Sequence, residues 1–185
     1  IGGMLLYTAR RRAPLIDYGI LIPVAPGKAD RILDALRAHP VLGPREREWH
    51  VERDDLTMGR EDLLRAHTPR YVDELSSDRI EAAILRAYEL IDESGRPHRY
   101  DPARATRPLS ELLDGALENA AGTFQCCREA LGRGFCFYLG GGAHHAHADF
   151  GHGFCPVNDS VVALRRLQAE GAIRRAWVID VDAHK

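Results

Sequence analysis

Hydrophobic residues follow two periods along the chain, and each predicts a different kind of element. A helical period appears over Ala29 to His39, where Ile32, Leu33 and Leu36 share one stripe until Pro40 stops it. Short helical turns are expected over Arg60 to His67 and, with Pro69 at the start, over Arg70 to Leu75. Asp78 to Asp92 repeats the period through Ile80, Ala83, Ile84, Ala87 and Ile91, and Ser94-Gly95-Arg96-Pro97 terminates it. Ser110 is placed to cap a long helix reaching Leu131, with Glu111 and Asp114 near its positive end. A last helix is expected over Asp159 to Glu170, with Val161, Val162, Leu164 and Leu167 turned inward.

The other pattern is an unbroken apolar run. Phe135 to Leu139, bounded by glycines, and Ala176 to Asp182 both predict strands buried on two faces, and Met4 to Thr8 gives a shorter candidate. Strand, helix, strand over the last fifty residues is a βαβ unit, which implies a parallel sheet with a right-handed crossover. Pro14 to Gly27 and His98 to Pro108 are polar or proline-broken and read as loops. No internal repeat or boundary interrupts the chain. The expectation is therefore one α/β domain over residues 1–185, a parallel sheet flanked by helices. That domain is expected to be incomplete within this chain: it opens on Ile1 without a methionine and stops at His184-Lys185, directly after a strongly patterned strand.

Composition narrows the class. The 185 residues are 45% hydrophobic and 28% charged, a globular balance that excludes disorder. A net charge of −2 offers no basic face for a nucleic-acid backbone. No apolar run approaches a bilayer span, and Arg10, Arg11 and Arg12 follow an apolar stretch where a secretory signal would have them precede it. The expectation is a cytoplasmic protein with no membrane and no direct nucleic-acid partner; oligomeric state is not written in the sequence. Cys126, Cys127, Cys136 and Cys155 form no Cys-x-x-Cys pair and are expected to be reduced thiols.

Candidate chemistry gathers at two places. Asp180, Asp182 and His184 alternate with Val181 and Ala183, so an extended backbone projects two carboxylates and an imidazole to one face. They lie at a strand's C-terminal end, where α/β sheets place ligand sites. Asp-x-His offers one hard oxygen and one borderline nitrogen, a set suited to Zn²⁺, with Fe²⁺ or Mn²⁺ as alternatives. A strand emerging into solvent with hydrated charges explains the same spacing, and both readings stay open. The second place is Gly140-Gly141-Gly142-Ala143-His144-His145, where glycines permit a tight turn and two adjacent imidazoles offer a general base and an electrostatic partner. His147 and His152 are expected to be surface or hydrogen-bonding loop residues. Gly153 gives close approach, Phe154 a flat apolar wall, and Asn158 or Asp159 a cap for the following helix.

The run GGGAHHAHADFGHGFCPVND from Gly140 to Asp159, followed by VIDVDAH from Val178 to His184, closely resembles the histone deacetylase family. This is the zinc-dependent group that includes bacterial acetoin-utilisation and acetylpolyamine deacetylases. His67-Thr68-Pro69-Arg70-Tyr71-Val72 is similar to the same family's HTPxYV segment. The resemblance implies an arginase/deacetylase-like fold and hydrolysis of acetyl from acetyl-lysine or from an acetylated small amine such as a polyamine. It implies Asp182 and His184 as two zinc ligands, with Fe²⁺ as the other ion. His144 and His145 become the paired active-site histidines, the second as general base and the first as acid or electrostatic stabiliser. Asp180 becomes the carboxylate that orients His144, Gly153 and Phe154 the tunnel that grips the acyl-lysine chain. A monovalent cation such as K⁺ is implied near the backbone of Asp180, Asp182 and His184.

The same resemblance places a third ligand (an aspartate), an oxyanion tyrosine and the carboxylate partner of His145 beyond position 185. Three departures stand inside the chain: Lys185 where a histidine is commoner, Pro156 for a frequent tyrosine, and Leu15 to Ile20 without a His-Pro-Glu stretch. Two other readings remain beside it: a ureohydrolase-like binuclear manganese enzyme, against which the adjacent His pair speaks, and a non-catalytic metal-binding or structural remnant. The isolated chain is expected to be inactive.

Overall fold

The structure, a computed structural model, describes residues 4–8, 12–24 and 27–184; Lys185 lies outside the described residues. In chain order the elements are β1 (Met4–Leu6), α1 (Lys28–Ala38), α2 (Glu46–Trp49), β2 (His50–Val51), α3 (Arg60–Leu63), α4 (Pro69–Leu75), α5 (Ile80–Ala87), α6 (Glu111–Arg133), β3 (Cys136–Tyr138) and α7 (Asp159–Ala169).

The sheet is parallel throughout, in the order β2-β1-β3. Parallel neighbours need crossover connections, and the chain supplies them as helices: α1 and α2 between β1 and β2, α3 to α6 between β2 and β3. β1 is paired on both sides, so Leu6 is fully buried and Met4 nearly so. α6 is the spine. Its Ala120, Ala121 and Phe124 meet Val162, Ala163 and Leu167 of α7 and Tyr71, Val72 and Leu75 of α4 in the main core. A fully buried leucine or phenylalanine of this kind contributes roughly 1.5–3 kcal/mol. The Arg166 guanidinium lies 4.5 Å from the centroid of the Phe124 ring, so the core's edge carries a cation–π contact. A smaller cluster of Tyr18, Ile20, Ile84, Leu90 and Leu109 fastens the 12–24 loop to α5.

Several expectations are corrected. α5 ends at Ala87, and Glu89 with φ 55° turns the chain, so Ile91 lies outside the helix that the spacing predicts. Ser110 is itself helical, with φ −55° and ψ −31°, and makes no side-chain cap; a capping side chain needs an extended backbone to reach the second or third amide. β3 is an edge strand among the described residues: Phe135 and Phe137 are about half exposed, where the apolar run implies burial on both faces. Val161 also stays partly exposed.

The largest difference concerns residues 176–182. They form no strand, and Trp177 is 93% and Val181 91% exposed. A two-faced strand needs a backbone partner beside it and layers above and below. Residues 176–182 have no such partner among the described residues, so the predicted βαβ unit lacks its second strand. All four cysteines are free, Cys155 buried and the others partly buried. No described helix is long and apolar enough to cross a membrane.

Candidate active site

β3 delivers the chain to the candidate site. The Leu139 N–H donates to the Leu6 carbonyl at 3.2 Å, continuing the ladder before the backbone breaks into the glycine loop. Gly141, at φ 72°, is where that break is forced: a side chain there would strain the backbone and run into Asp159 and Thr123. Asp159, 1% exposed, explains the crowding. Its carboxylate accepts the Thr123 hydroxyl at 2.5 Å, the Gly142 amide at 3.0 Å and the Ala143 amide at 2.7 Å. A buried carboxylate without such donors is expensive, and one with three of them fixes whatever they belong to. Asp159 thereby sets the backbone immediately before His144. Capping of α7 falls to Asn158, which accepts the Val161 amide at 3.1 Å.

The far end of the loop is held by the HTPxYV segment. His67 bonds the His147 carbonyl and the Asn158 amide. The Thr68 amide donates to the Ala148 carbonyl at 2.8 Å, and the Tyr71 hydroxyl to the Pro156 carbonyl at 2.8 Å. Thr68 also caps α4, with Pro69 behind it.

Between these anchors stand the two imidazoles, ring centroids 4.0 Å apart. His145 packs on Gly153, where a Cβ would come within 2.6 Å of its ring. Phe154 has φ 65°, unusual for a bulky residue, and its amide donates to the Ala87 carbonyl at 2.8 Å. Its ring meets Tyr88 edge-on at 5.9 Å and lines a cavity of about 430 Å³ together with Ala143, Pro156, Tyr18 and Arg12. Burial pushes the Tyr88 phenol up to about 12, so it stays protonated. His147 stacks on Phe150 at 4.3 Å, and His152 faces Glu89 at 3.3 Å.

Residues 180–184 come to the same place by a different route. His144 Nδ1 lies 2.5 Å from Asp180 Oδ2, and His144 Nε2 is 4.0 Å from Asp182 Oδ1. The His145 and His184 rings are 6.3 Å apart. The Asp182 amide donates to Asp180 Oδ1 at 2.9 Å and the His184 amide to Asp182 Oδ1 at 2.8 Å, so each carboxylate serves the backbone two residues on. These amides, then the facing imidazoles, hold both carboxyls below the usual aspartate range. His144, His145, Asp180, Asp182 and His184 thus form one cluster, with Gly153 beneath it and Phe154 on the cavity wall.

The donors suit a zinc ion in kind: one carboxylate oxygen and one imidazole nitrogen. His184 Nδ1 and Asp182 Oδ1 are hydrogen-bonded at 2.5 Å. Tetrahedral ligands at ordinary zinc distances stand roughly 3.3 Å apart, so this pair must open slightly to hold an ion. Among the described residues, no group of three or more His, Cys, Asp or Glu gathers at metal-binding geometry.

The anchoring roles of Asp159, Thr123, His67 and Tyr71 go beyond the sequence reading, in which Asp159 is a possible cap and His67 to Val72 a family-like segment. The signal was present as Asn158-Asp159 and His67-Thr68-Pro69, but local pattern assigns such residues to caps and not to loops tens of positions away.

A family model for the histone deacetylase domain matches residues 22–185. Acetylpolyamine amidohydrolase 1 of Pseudomonas aeruginosa is 27% identical over 86% of this chain and 49% of its own. Histone deacetylase 2 of Arabidopsis thaliana is 27% identical over 71% of this chain and 32% of its own. An uncharacterized protein of Picosynechococcus sp. is 36% identical over 40% of this chain and 25% of its own. The chain therefore spans half or less of the length of these relatives. Among solved structures, an HDAC homolog complexed with SAHA superposes with a TM-score of 0.52 at 22% identity, over 92% of this chain and 42% of that one. An HDAC homolog from Aquifex aeolicus gives 0.50 at 22% identity, over the same shares. These two likenesses concern the fold.

Proposed function

This chain belongs to the histone deacetylase family, and from that premise we propose that it carries the acid–base half of a zinc-dependent hydrolase. The reaction is removal of acetyl from an amine nitrogen, on acetyl-lysine or an acetylated polyamine. The observation that carries the reading is the meeting of the two segments: His144 hydrogen-bonds Asp180 at 2.5 Å and stands 4.0 Å from Asp182, and the His145 and His184 rings face each other at 6.3 Å. The family model and the amidohydrolase relative support the substrate class.

In this reading Asp182 and His184 hold the zinc with a third ligand from outside the chain, and iron(II) is the other ion the set accepts. Zinc, when bound, polarises the amide carbonyl and makes its water more acidic. Asp180 accepts the His144 Nδ1 proton and so leaves Nε2 turned toward Asp182. His145, supported by Gly153, takes the proton of the attacking water. The water oxygen bonds to the carbonyl carbon, the C–N bond breaks, and a histidine returns a proton to the leaving nitrogen, releasing amine and acetate. Gly153 and Phe154 guide the acyl chain, and a potassium-type ion near the backbone of 180–184 would stiffen that segment.

The decisive assay is turnover of the longer parent protein on acetyl-lysine and acetylpolyamine substrates, with and without a chelator. Zinc-restorable activity is expected; turnover indifferent to chelation, or none once zinc is returned, removes the proposal. For the 185-residue chain by itself a second reading is a non-catalytic unit, since Asp182 and His184 give it two zinc donors where a catalytic site uses three. That chain is expected to show no chelator-sensitive turnover.

A further inference from the structure

We propose that His67 is a positioning residue of this site: a neutral, single-tautomer imidazole that fixes the setting of His144 through Asn158. The inference rests on the hydrolase reading for what the histidine pair is used for; the placement of His67 rests on geometry alone.

His67 sits in the turn between α3 and α4 and is 4% exposed. The Asn158 amide points at its Nε2 from 3.2 Å. An amide can only donate, so Nε2 must present its lone pair. The ring proton then belongs on Nδ1, where the His147 carbonyl accepts it at 2.9 Å. Both nitrogens are satisfied in one tautomer and no other. Burial lowers the proton affinity of this imidazole, in the same direction. The Tyr71 ring stands edge-on to it, centroids 5.6 Å apart.

What lies beyond Asn158 separates this from ordinary core packing. The Asn158 side-chain amide donates to the carbonyls of Ala146 at 3.1 Å and His144 at 3.4 Å. His144 in turn reaches Asp180 through Nδ1. A continuous line of hydrogen bonds therefore runs from a buried imidazole, through one asparagine, to the histidine that faces the candidate metal ligands. Loss of the acceptor at Nε2 leaves the Asn158 backbone amide unpaired and removes one of the bonds that set the residue whose side chain holds the backbone of His144. Small errors in the setting of a reacting group are costly to rate.

The test uses the 185-residue chain labelled with ¹⁵N. Two-bond ¹H–¹⁵N spectra show which nitrogen of each imidazole carries the proton, without relying on exchangeable protons. In the wild type, His67 is expected to be protonated on Nδ1 only, and His144 chiefly on Nδ1 toward Asp180. His67→Gln keeps an acceptor near the Nε2 position and is expected to leave His144 in that single tautomer. His67→Asn keeps only the donor toward His147 and is expected to move His144 to the tautomer mixture of a free imidazole, as is His67→Phe. Melting temperatures measured alongside report general loosening, and the Gln and Asn variants decide the matter if the Phe variant fails to fold. An unchanged His144 spectrum in both His67→Asn and His67→Gln, whatever the melting temperatures, reduces His67 to scaffolding and overturns the proposal. So does a wild-type His67 protonated on Nε2. Neither result depends on turnover, so failure of the hydrolase reading would be seen separately, in the assay of the parent protein.

Discussion

The two halves of the candidate site are built in opposite ways. The loop over residues 140–158 is gripped by buried groups at both ends: Asp159 with three donors at its start, His67 and Tyr71 at its finish. Residues 176–184 instead run through solvent, hold their own backbone through Asp180 and Asp182, and meet the rest of the chain at His144 and, ring to ring, at His145. The lesson is one of dependence. The histidine pair is positioned by this chain's core, whereas the candidate metal ligands are positioned mainly by each other.

Hydrogen exchange is the strongest way to break that contrast. Amides of 142, 143 and 158 are expected to exchange orders of magnitude more slowly than those of 177–181, because the former open only with the core. Equal protection at both places would erase the distinction. Next in size is Asp159→Ala, which strands two loop amides and a hydroxyl; a loss of about 3–4 kcal/mol in urea unfolding is expected, with Asp159→Asn recovering only part of it. Gly141→Ala should cost roughly 2–3 kcal/mol, from positive φ and overpacking against Asp159 and Thr123 together.

Acid should act through His67. Its folded-state pKa lies below the ordinary 6.5 because burial disfavours the charged ring. Its contribution is therefore complete above that value and is lost as pH falls through the folded one. Melting temperature should drop on the acid side of 6.5 by more in the wild type than in His67→Gln; parallel curves would contradict this. Smallest of all is Asp180→Asn, on the exposed segment: a change in global stability under about 0.5 kcal/mol is expected from the same urea experiment. A larger loss would mean that residues 176–184 are part of the cooperative core after all.

Much of the fold is legible in the sequence because its signals are local. Pro69 behind Thr68, the Ile80-Ala83-Ile84-Ala87 stripe, and Gly134 after the long helix each specify an element by sterics and period alone. The GGGAHH loop and the Asp-x-Asp-x-His spacing likewise mark residues that the structure brings together. The failures are of another kind. An apolar run such as 176–182 records what a strand needs on both faces, not whether those partners are beside it in this chain. Ser110 looks like a cap because residue type is visible and backbone angle is not. Whether Asn158 or Asp159 caps the last helix is left open in the sequence for a similar reason. Either residue type suits a cap, but only the path of a loop sixteen residues earlier decides which one turns inward.

Asp159 belongs to two bodies at once, the first turn of α7 and the floor of the glycine loop. α7 and the histidine pair therefore cannot move independently: a tilt of the helix about its contacts with α6 would carry the carboxylate, and with it the amides of 142 and 143, in the same sense.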